Sequence, residues 1–259
     1  MNAFRTVLLS GLCLGIAISP TVRIHAQTAD EIIDQHVKAM GGKDKLLSVH
    51  SLYQEGTAVM GNGTEINTKT WKVQGKLYRQ EIDFGMGTVV IIVTPTQGWA
   101  SNPRTGGEFK ALPDEQLKAL QSQMDPADPF VGYAAKGNKI ELAGKDTVGN
   151  TECYRVKLTY PSGVYTTYSF DEKTYYILRE THKGGGMMGG GGGAGNGGGR
   201  RPGGAGDGEM KIDFSDIKAG PDGFLYPYTI LAGGFGAKSS VTKLDINKLV
   251  DVAGLSKPK

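Results

Sequence analysis

The stretch that decides the fold is "TECYRVKLTYPSGVYTTYSFDEKTYYILRETH", residues 151–182. Its three segments, 151–160, 164–172 and 174–182, alternate apolar or aromatic residues with polar ones, which is the two-residue period of a half-buried strand. Pro-Ser-Gly separates the first two segments, and the second ends in Asp-Glu before Lys173, so each connection is short enough to join antiparallel neighbours. The stretch therefore predicts an antiparallel meander.

The same alternation recurs along most of the chain. Seven further segments have it and are separated by Gly, Pro, Asp or Asn: 51–60, 64–73, 76–84, 87–94, 209–218, 224–231 and 239–247. Gly61-Asn62-Gly63 supplies the positive backbone angles of a tight hairpin between the first two. A long series of strands joined by short turns predicts a mainly β protein whose antiparallel sheet curls into a barrel or half-barrel.

Two segments instead have the period of a helix. Residues 28–42, "TADEIIDQHVKAMGG", begin with Thr28 and Glu31 at the spacing of a capping box and end in two glycines. Residues 112–124, "LPDEQLKALQSQM", place three apolar residues on one face. Two helices cannot cover both faces of so long a sheet, so we expect both on the concave face.

The glycine-rich run "KGGGMMGGGGGAGNGGGRRPGGAGDGEM", residues 183–210, separates two strand-like segments. A linker between domains is disfavoured because only about fifty residues follow it, too few for a second core. A phosphate loop would need a Gly-Lys-Ser/Thr ending and a following helix. We therefore predict one domain over 27–259 with a disordered hairpin loop at 184–208.

The N-terminal residues are typical of an export signal. Arg5 precedes a short apolar run, Val7 to Ile18, and Ala26 suits the last position before cleavage. The run is too short for a permanent membrane span, so residues 1–26 are predicted to be removed, leaving a soluble periplasmic or exported chain without a transmembrane segment. Only Cys153 would remain, which excludes an internal disulfide and favours burial in the sheet.

Composition and motifs argue against several functions. A net charge of +3 without clusters does not favour nucleic-acid binding. The sequence lacks a Gly-x-Ser-x-Gly elbow, a His-Glu-x-x-His motif and a cysteine pair. His36, His50 and His182 stand singly, and we predict that His36 is a surface or capping side chain on the first helix. We expect no enzymatic activity, no cofactor, no metal, and a monomer.

Apolar and aromatic residues occupy alternating positions of the predicted strands, and Leu158 and Ile230 share this pattern. We expect the following residues to project to one side and line an apolar ligand cavity: Trp71, Val73, Tyr78, Ile82, Val90, Ile92, Trp99, Tyr154, Val156, Tyr168, Phe170 and Tyr228. Each alone is compatible with an ordinary core. Together, a half-barrel capped by two short helices would leave space for a lipid.

Several segments in order resemble the outer-membrane lipoprotein-sorting family, the LolA/LolB-like carriers. They are "ADEIIDQHVKAMGG", "TWKVQGKLYRQEI", "GWASNP", "GKDTVGNTECYRVKLTYPSGVYTTYSFDEKTYYILRE", "DGFLYPYTI" and "LSKP". The resemblance implies an unclosed β-barrel with helices over its mouth and an apolar cavity for lipid or lipoprotein acyl chains. Where carriers of the family often have a basic residue after the tryptophan strand, this chain has Gln74, with Arg79 the nearest substitute.

Two functions from different classes follow. The first is non-enzymatic binding or carrying of lipid or lipoprotein acyl chains. The second is a structural or interaction module of the cell envelope, with a filled core, that binds a protein partner by a loop or sheet edge. A third, an unrecognised hydrolase, would need convergent polar groups at a pocket. A structure distinguishes the first two, because a continuous apolar cavity favours lipid binding, whereas native packing density with no void favours the interaction module.

Overall fold

The computed structural model describes residues 27–60, 63–183, 209–220, 223–232 and 237–258. The predicted signal peptide over 1–26 and the predicted loop over 184–208 lie outside these residues, as do the first two residues of the Gly61-Asn62-Gly63 turn.

Thirteen strands in the described ranges form one antiparallel sheet. They are β1 (Ser51–Val59), β2 (Glu65–Val73), β3 (Leu77–Asp83), β4 (Thr88–Val93), β5 (Gly98–Ser101), β6 (Phe109–Ala111), β7 (Lys139–Val148), β8 (Thr151–Thr159), β9 (Tyr165–Asp171), β10 (Ile177–Lys183), β11 (Glu209–Ala219), β12 (Leu225–Ala232) and β13 (Ala237–Ile246). The spatial order is β6-β5-β4-β3-β2-β1-β13-β12-β11-β10-β9-β8-β7. The sheet does not close, since β6 and β7 form its two edges.

The helices of the described chain are short. They are α1 (Ala29–Ala39), α2 (Lys43–Leu47), α3 (Asp114–Gln121) and α4 (Val252–Leu255), and a 3-10 turn over Ser122–Met124 extends α3. The capping box of α1 is present, with Thr28 accepting from the Glu31 amide and Glu31 accepting from the Thr28 amide. Gly42 then has a φ of 93°, a left-handed conformation that favours glycine and separates α1 from α2.

The sequence predicted this architecture, a mainly β half-barrel with its two main helices, α1 and α3, on one face. All ten strand-like segments form strands, and the two predicted helices are α1 and α3. Strands β5, β6 and β7 and helices α2 and α4 were not predicted. β7 is largely exposed and has a bulge between Leu142 and Lys145, so its sequence lacks a clean alternation.

The connection at the glycine-rich run joins neighbouring strands. β10 pairs with β11, and Lys183 lies opposite Glu209. Residues 184–208 therefore link two adjacent strands of one sheet, while the prediction that they form a disordered loop stays a prediction.

Cys153 is fully buried on β8, as predicted. Burial raises the pKa of its thiol to about 11. The thiol is therefore protonated and poorly reactive at neutral pH.

Candidate functional site

Strand register divides the side chains between two faces of the sheet. Directly paired residues share a face, and consecutive residues of a strand point to opposite faces. Leu52, Lys72 and Tyr78 are paired across β1, β2 and β3 and lie on the face that α1 and α3 cover, which we call the concave face. Tyr53 and Trp71 are paired on the opposite, convex face.

The twelve residues predicted to line a cavity do not share one face. Seven lie on the concave face: Tyr78, Ile82, Tyr154, Val156, Tyr168, Phe170 and Tyr228. Five lie on the convex face: Trp71, Val73, Val90, Ile92 and Trp99. The expectation that all project to one side is therefore wrong, because β2, β4 and β5 carry apolar residues on both faces.

The C-terminal segment lies against part of the convex face, beside Trp71. Its Leu255 carbonyl accepts a hydrogen bond from Arg79 Nη1 at 2.9 Å, and Arg79 also pairs with Glu81 at 2.7 Å. A cavity of about 220 Å³ lies between this segment and the strands, lined by Tyr53 and Trp71 among others. Arg79 is thus engaged on the convex face and cannot reach the concave one.

The end of the sheet formed by β7 to β10 is filled by α1, and we call this unit the α1 lobe. Ile32 and Ile33 of α1 pack with Val156, Tyr168 and Phe170 in one cluster with Phe130. The ring centroids of Phe130 and Phe170 are 5.2 Å apart, in an edge-on arrangement. Three of the predicted cavity residues are therefore buried against the protein's own helix.

His36 joins the α1 lobe and is fully buried, so the prediction of a surface or capping role was wrong. Its Nε2 lies 2.7 Å from Asp128 Oδ2 and its Nδ1 lies 2.7 Å from the Tyr175 carbonyl. Its ring packs edge-on against Phe170 at 5.1 Å. Sequence alone missed this contact because Asp128 is 92 residues away.

The charges of this pair stabilise each other. Burial by itself lowers the pKa of His36, but the Asp128 charge and the two hydrogen bonds outweigh it and raise the pKa above its usual value. Burial likewise raises the pKa of Asp128, yet the contact with His36 brings it below its usual value. His36 and Asp128 therefore form a buried hydrogen-bonded pair that fixes α1 to the loop before β7.

The opposite end of the sheet is covered by α3. Leu117, Leu120 and Met124 pack against Tyr78 and neighbouring strand residues, as the helical period predicted. Gly98 allows this close approach, because a Cβ at that position would lie 2.7 Å from a methyl group of Leu112. Tyr78, a predicted cavity residue, is thereby buried beneath α3.

Between these two covered ends, Leu52, Leu244 and Ile246 of β1 and β13 are buried in a further cluster with Phe224, and β11 is less enclosed. Met210, Ile212 and Phe214 lie at alternate positions of β11 and are only partly buried. Ile212 is paired with Glu180, which is paired in turn with Tyr168 of the α1 lobe, so Ile212 lies on the concave face. Phe214 is paired with Ile230 on the same face. We call Met210, Ile212 and Phe214 the open centre. The sequence predicts a strand here, but these three residues were not among the predicted cavity residues, although they alternate with polar ones.

Polar side chains cross the concave face beside the open centre. The Lys72 Nζ donates to Gln123 Oε1 at 3.1 Å, and the Tyr226 hydroxyl donates to Gln54 Oε1 at 2.6 Å. Burial lowers the pKa of Lys72, although the charges of Glu180 and Asp125 oppose the shift. These polar groups were not selected from the sequence, since only register shows that they face inward.

Further polar contacts lie on β9 and β10. His182 Nδ1 forms a hydrogen bond with Thr166 Oγ1 at 3.2 Å, and His182 Nε2 lies 3.3 Å from Glu180 Oε2. The hydroxyls of Tyr160 and Tyr168 are 3.3 Å apart, and burial raises the pKa of Tyr160 to about 12. These tyrosines are neutral at physiological pH.

The described ranges contain no group of three His, Cys, Asp or Glu side chains placed to hold a metal ion. A second cavity, of about 390 Å³, has polar lining residues that include Glu55, Asn67 and Asp83. In the part of the chain that the structure describes, no helix has the length and apolar character to span a membrane.

No family model and no curated protein sequence matches the chain. Solved structures do match it. A DUF1329 family protein from Desulfovibrio piger is 14% identical, with a TM-score of 0.51 over 89% of this chain and 100% of the other. A LolA superfamily protein from Nitrosomonas europaea is 9% identical, with a TM-score of 0.50 over 90% of this chain and 99% of the other. At such identities the likeness concerns the fold, and the chain has the fold of a LolA superfamily protein.

Proposed function

We propose that the concave face binds the acyl chains of a lipid or lipoprotein, without catalysis. The observation that carries the proposal is the open centre, where three apolar side chains remain partly exposed between two covered ends. A curved sheet that is not closed can admit a chain along its length, which a closed and filled barrel of similar size cannot. The fold shared with a LolA superfamily protein supports this proposal.

Only some of the predicted cavity residues are part of this proposal. Tyr228 and Ile230 on β12 lie beside the open centre and are partly buried, so they are proposed to contact the acyl chain. Val156, Tyr168 and Phe170 belong to the α1 lobe and would form its supporting wall. Trp71 and Trp99, on the convex face, are not proposed as contacts.

We also propose that the chain is exported by cleavage near Ala26, acts in the periplasm or outside the cell, and is monomeric. The short apolar run after Arg5 motivates this proposal. N-terminal sequencing of the protein from its own host tests the cleavage, and its mass in solution tests the monomeric state. A mature N terminus other than Gln27, or a stable dimer, would contradict them.

The binding proposal is tested by native mass spectrometry of the protein purified without detergent from its own host. We expect a protein population heavier by the mass of one lipid or acylated species. Collisional activation should dissociate this bound species. A homogeneous unliganded mass, together with no uptake when the protein is mixed with host lipid extract, would contradict acyl-chain binding.

A second candidate, an interaction module of the envelope, is favoured by one observation. The α1 lobe and the α3 end are packed, with Val156, Phe170 and Val93 fully buried. If the open centre were instead covered by a protein partner, cross-linking in the host should attach β11 to another polypeptide. Attachment to lipid alone would exclude this candidate.

A further inference from the structure

Lys72 is a basic side chain on the inner side of the half-barrel. It pairs with Leu52 and Tyr78, which places its side chain on the concave face. Its amine donates to Gln123, in the 3-10 turn that follows α3. The side chain is partly buried between the sheet and this turn.

The two acids whose charges act on Lys72 each have another close side-chain partner. Glu180 lies 3.3 Å from His182, and Asp125 lies 2.5 Å from Lys136. Among the described residues, no carboxylate comes within 4.0 Å of the Lys72 amine. A positive charge withdrawn from water is unfavourable unless an anion compensates it. Lys72 therefore lacks a directly paired carboxylate such as Asp125 provides for Lys136.

The same region adjoins the open centre. Glu180, whose charge acts on Lys72, is paired directly with Ile212 of β11. A molecule that placed an apolar chain on Ile212 and Phe214 would thus bring its polar end toward the Lys72 side of the concave face. The arrangement matches an amphiphile with a negative head group.

We propose that Lys72 binds the anionic head group, a carboxylate or a phosphate, of an amphiphile whose acyl chain lies on the open centre. The inference rests on the proposed acyl-chain function and adds the charge of the ligand. An ammonium and a carboxylate or phosphate form a charge-assisted hydrogen bond, which a neutral hydroxyl head group cannot equal. Lys72 thereby selects acidic over neutral amphiphiles.

The test compares probes that differ only in the head group. Delipidated protein is equilibrated with radiolabelled oleic acid, oleoyl lysophosphatidic acid or oleyl alcohol, below the concentrations at which they aggregate, and inorganic phosphate is measured alone. Lys72→Met keeps most of the apolar stem but removes the charge, and Lys72→Arg keeps the charge. The matched control is Lys69→Met, on the convex face of the same strand and exposed.

We expect Lys72→Met to weaken binding of at least one acidic probe by about tenfold, as expected for a lost hydrogen bond to a charged group. Oleyl alcohol should bind both proteins within about twofold, and Lys72→Arg and Lys69→Met should retain acidic-probe binding. Thermal melts of each variant establish that it is folded, and Lys72→Gln, which also removes the charge, carries the test should Lys72→Met fail to fold.

The outcomes separate the two proposals. Equal weakening of acidic and neutral probes, or no weakening, would overturn the role of Lys72 while leaving acyl-chain binding intact. Binding of none of the amphiphiles by the unmodified protein would overturn both. Binding of inorganic phosphate as tightly as the lysophosphatidic acid would show an anion site that does not involve an acyl chain.

Discussion

The α1 lobe and the open centre are two parts of one concave face that differ in how they are covered. In the α1 lobe, Phe170 is fully buried beneath α1 and packs against Phe130 and His36. In the open centre, Phe214 points to the same face but is only partly buried. Strand alternation sets the direction of both rings, whereas the short helices decide which of them is available to a ligand.

The largest expected effect is on the α1 lobe. Phe170→Ala should lower the free energy of unfolding by about 3–5 kcal/mol, because it leaves a cavity among rings that cannot collapse readily. Urea denaturation of variant and parent measures this. A loss of unfolding free energy under about 1 kcal/mol would mean that the α1 lobe is no more tightly packed than the open centre.

The buried His36–Asp128 pair should make the stability of the α1 lobe depend on pH. The folded pKa of His36 is raised, so its contribution is fully present below the unfolded value near 6.5 and is lost as pH rises through the folded pKa. The folded pKa of Asp128 is lowered, so its contribution is present above the unfolded value near 3.9 and is lost as pH falls through the folded pKa. Stabilisation by the pair is thus greatest between these limits.

Urea denaturation of the parent and of His36→Gln, from pH 4 to pH 9, measures this dependence. The parent should lose more stability than the variant as the solution becomes alkaline, since only the parent has the imidazolium to lose. Parallel curves for the two proteins on the alkaline side would show that His36 is neutral in the folded protein.

Phe214→Ala should separate binding from stability. The ring is only partly buried, so we expect a loss of about 1 kcal/mol or less in unfolding free energy. Acyl-chain binding should weaken by about tenfold, because the chain loses an apolar contact. Equilibrium binding of oleic acid and urea denaturation give the two numbers, with Leu231→Ala on the exposed face of the neighbouring strand as control. Unchanged binding would remove Phe214 from the site.

The smallest expected effect concerns residues 184–208. Replacing them with a two-residue Asn-Gly turn, which suits a hairpin between β10 and β11, should change stability by about 1 kcal/mol or less. Loop closure depends only weakly on length, so neither the α1 lobe nor the open centre should respond. Thermal melts and limited proteolysis of the shortened protein check this. A drop of many degrees, or separate melting of an N-terminal fragment, would contradict the single domain.

The sequence predicted the sheet, the two main helices and the burial of Cys153, because these follow from local periodicity and turn chemistry. It could not predict the assignment of faces. Trp71 and Tyr78 each stand at an apolar position of an alternating strand, yet register places them on opposite faces. On the convex face Trp71 lies beside the C-terminal segment, which is remote from it in sequence.

The same limit applies to the candidate site. The contact of His36 with Asp128 and the inward direction of Lys72 depend on residues that are remote in sequence. Met210, Ile212 and Phe214 alternate as clearly as the residues that were selected, but exposure on the concave face depends on what α1 and α3 leave uncovered. Periodicity therefore predicts the sheet, and only the tertiary packing decides which residues of the concave face are buried and which are exposed.

The most direct test of acyl-chain binding at the open centre is photo-cross-linking with a fatty acid that carries a diazirine near the end of its chain. After irradiation of the complex and proteolysis, mass spectrometry locates the labelled residues. Labelling should concentrate on β11 and β12, at Met210 to Phe214 and Tyr228 to Ile230, and excess oleic acid should suppress it. Labelling confined to the cavity beside Tyr53 and Trp71 on the convex face, or labelling that oleic acid does not suppress, would contradict acyl-chain binding at the open centre.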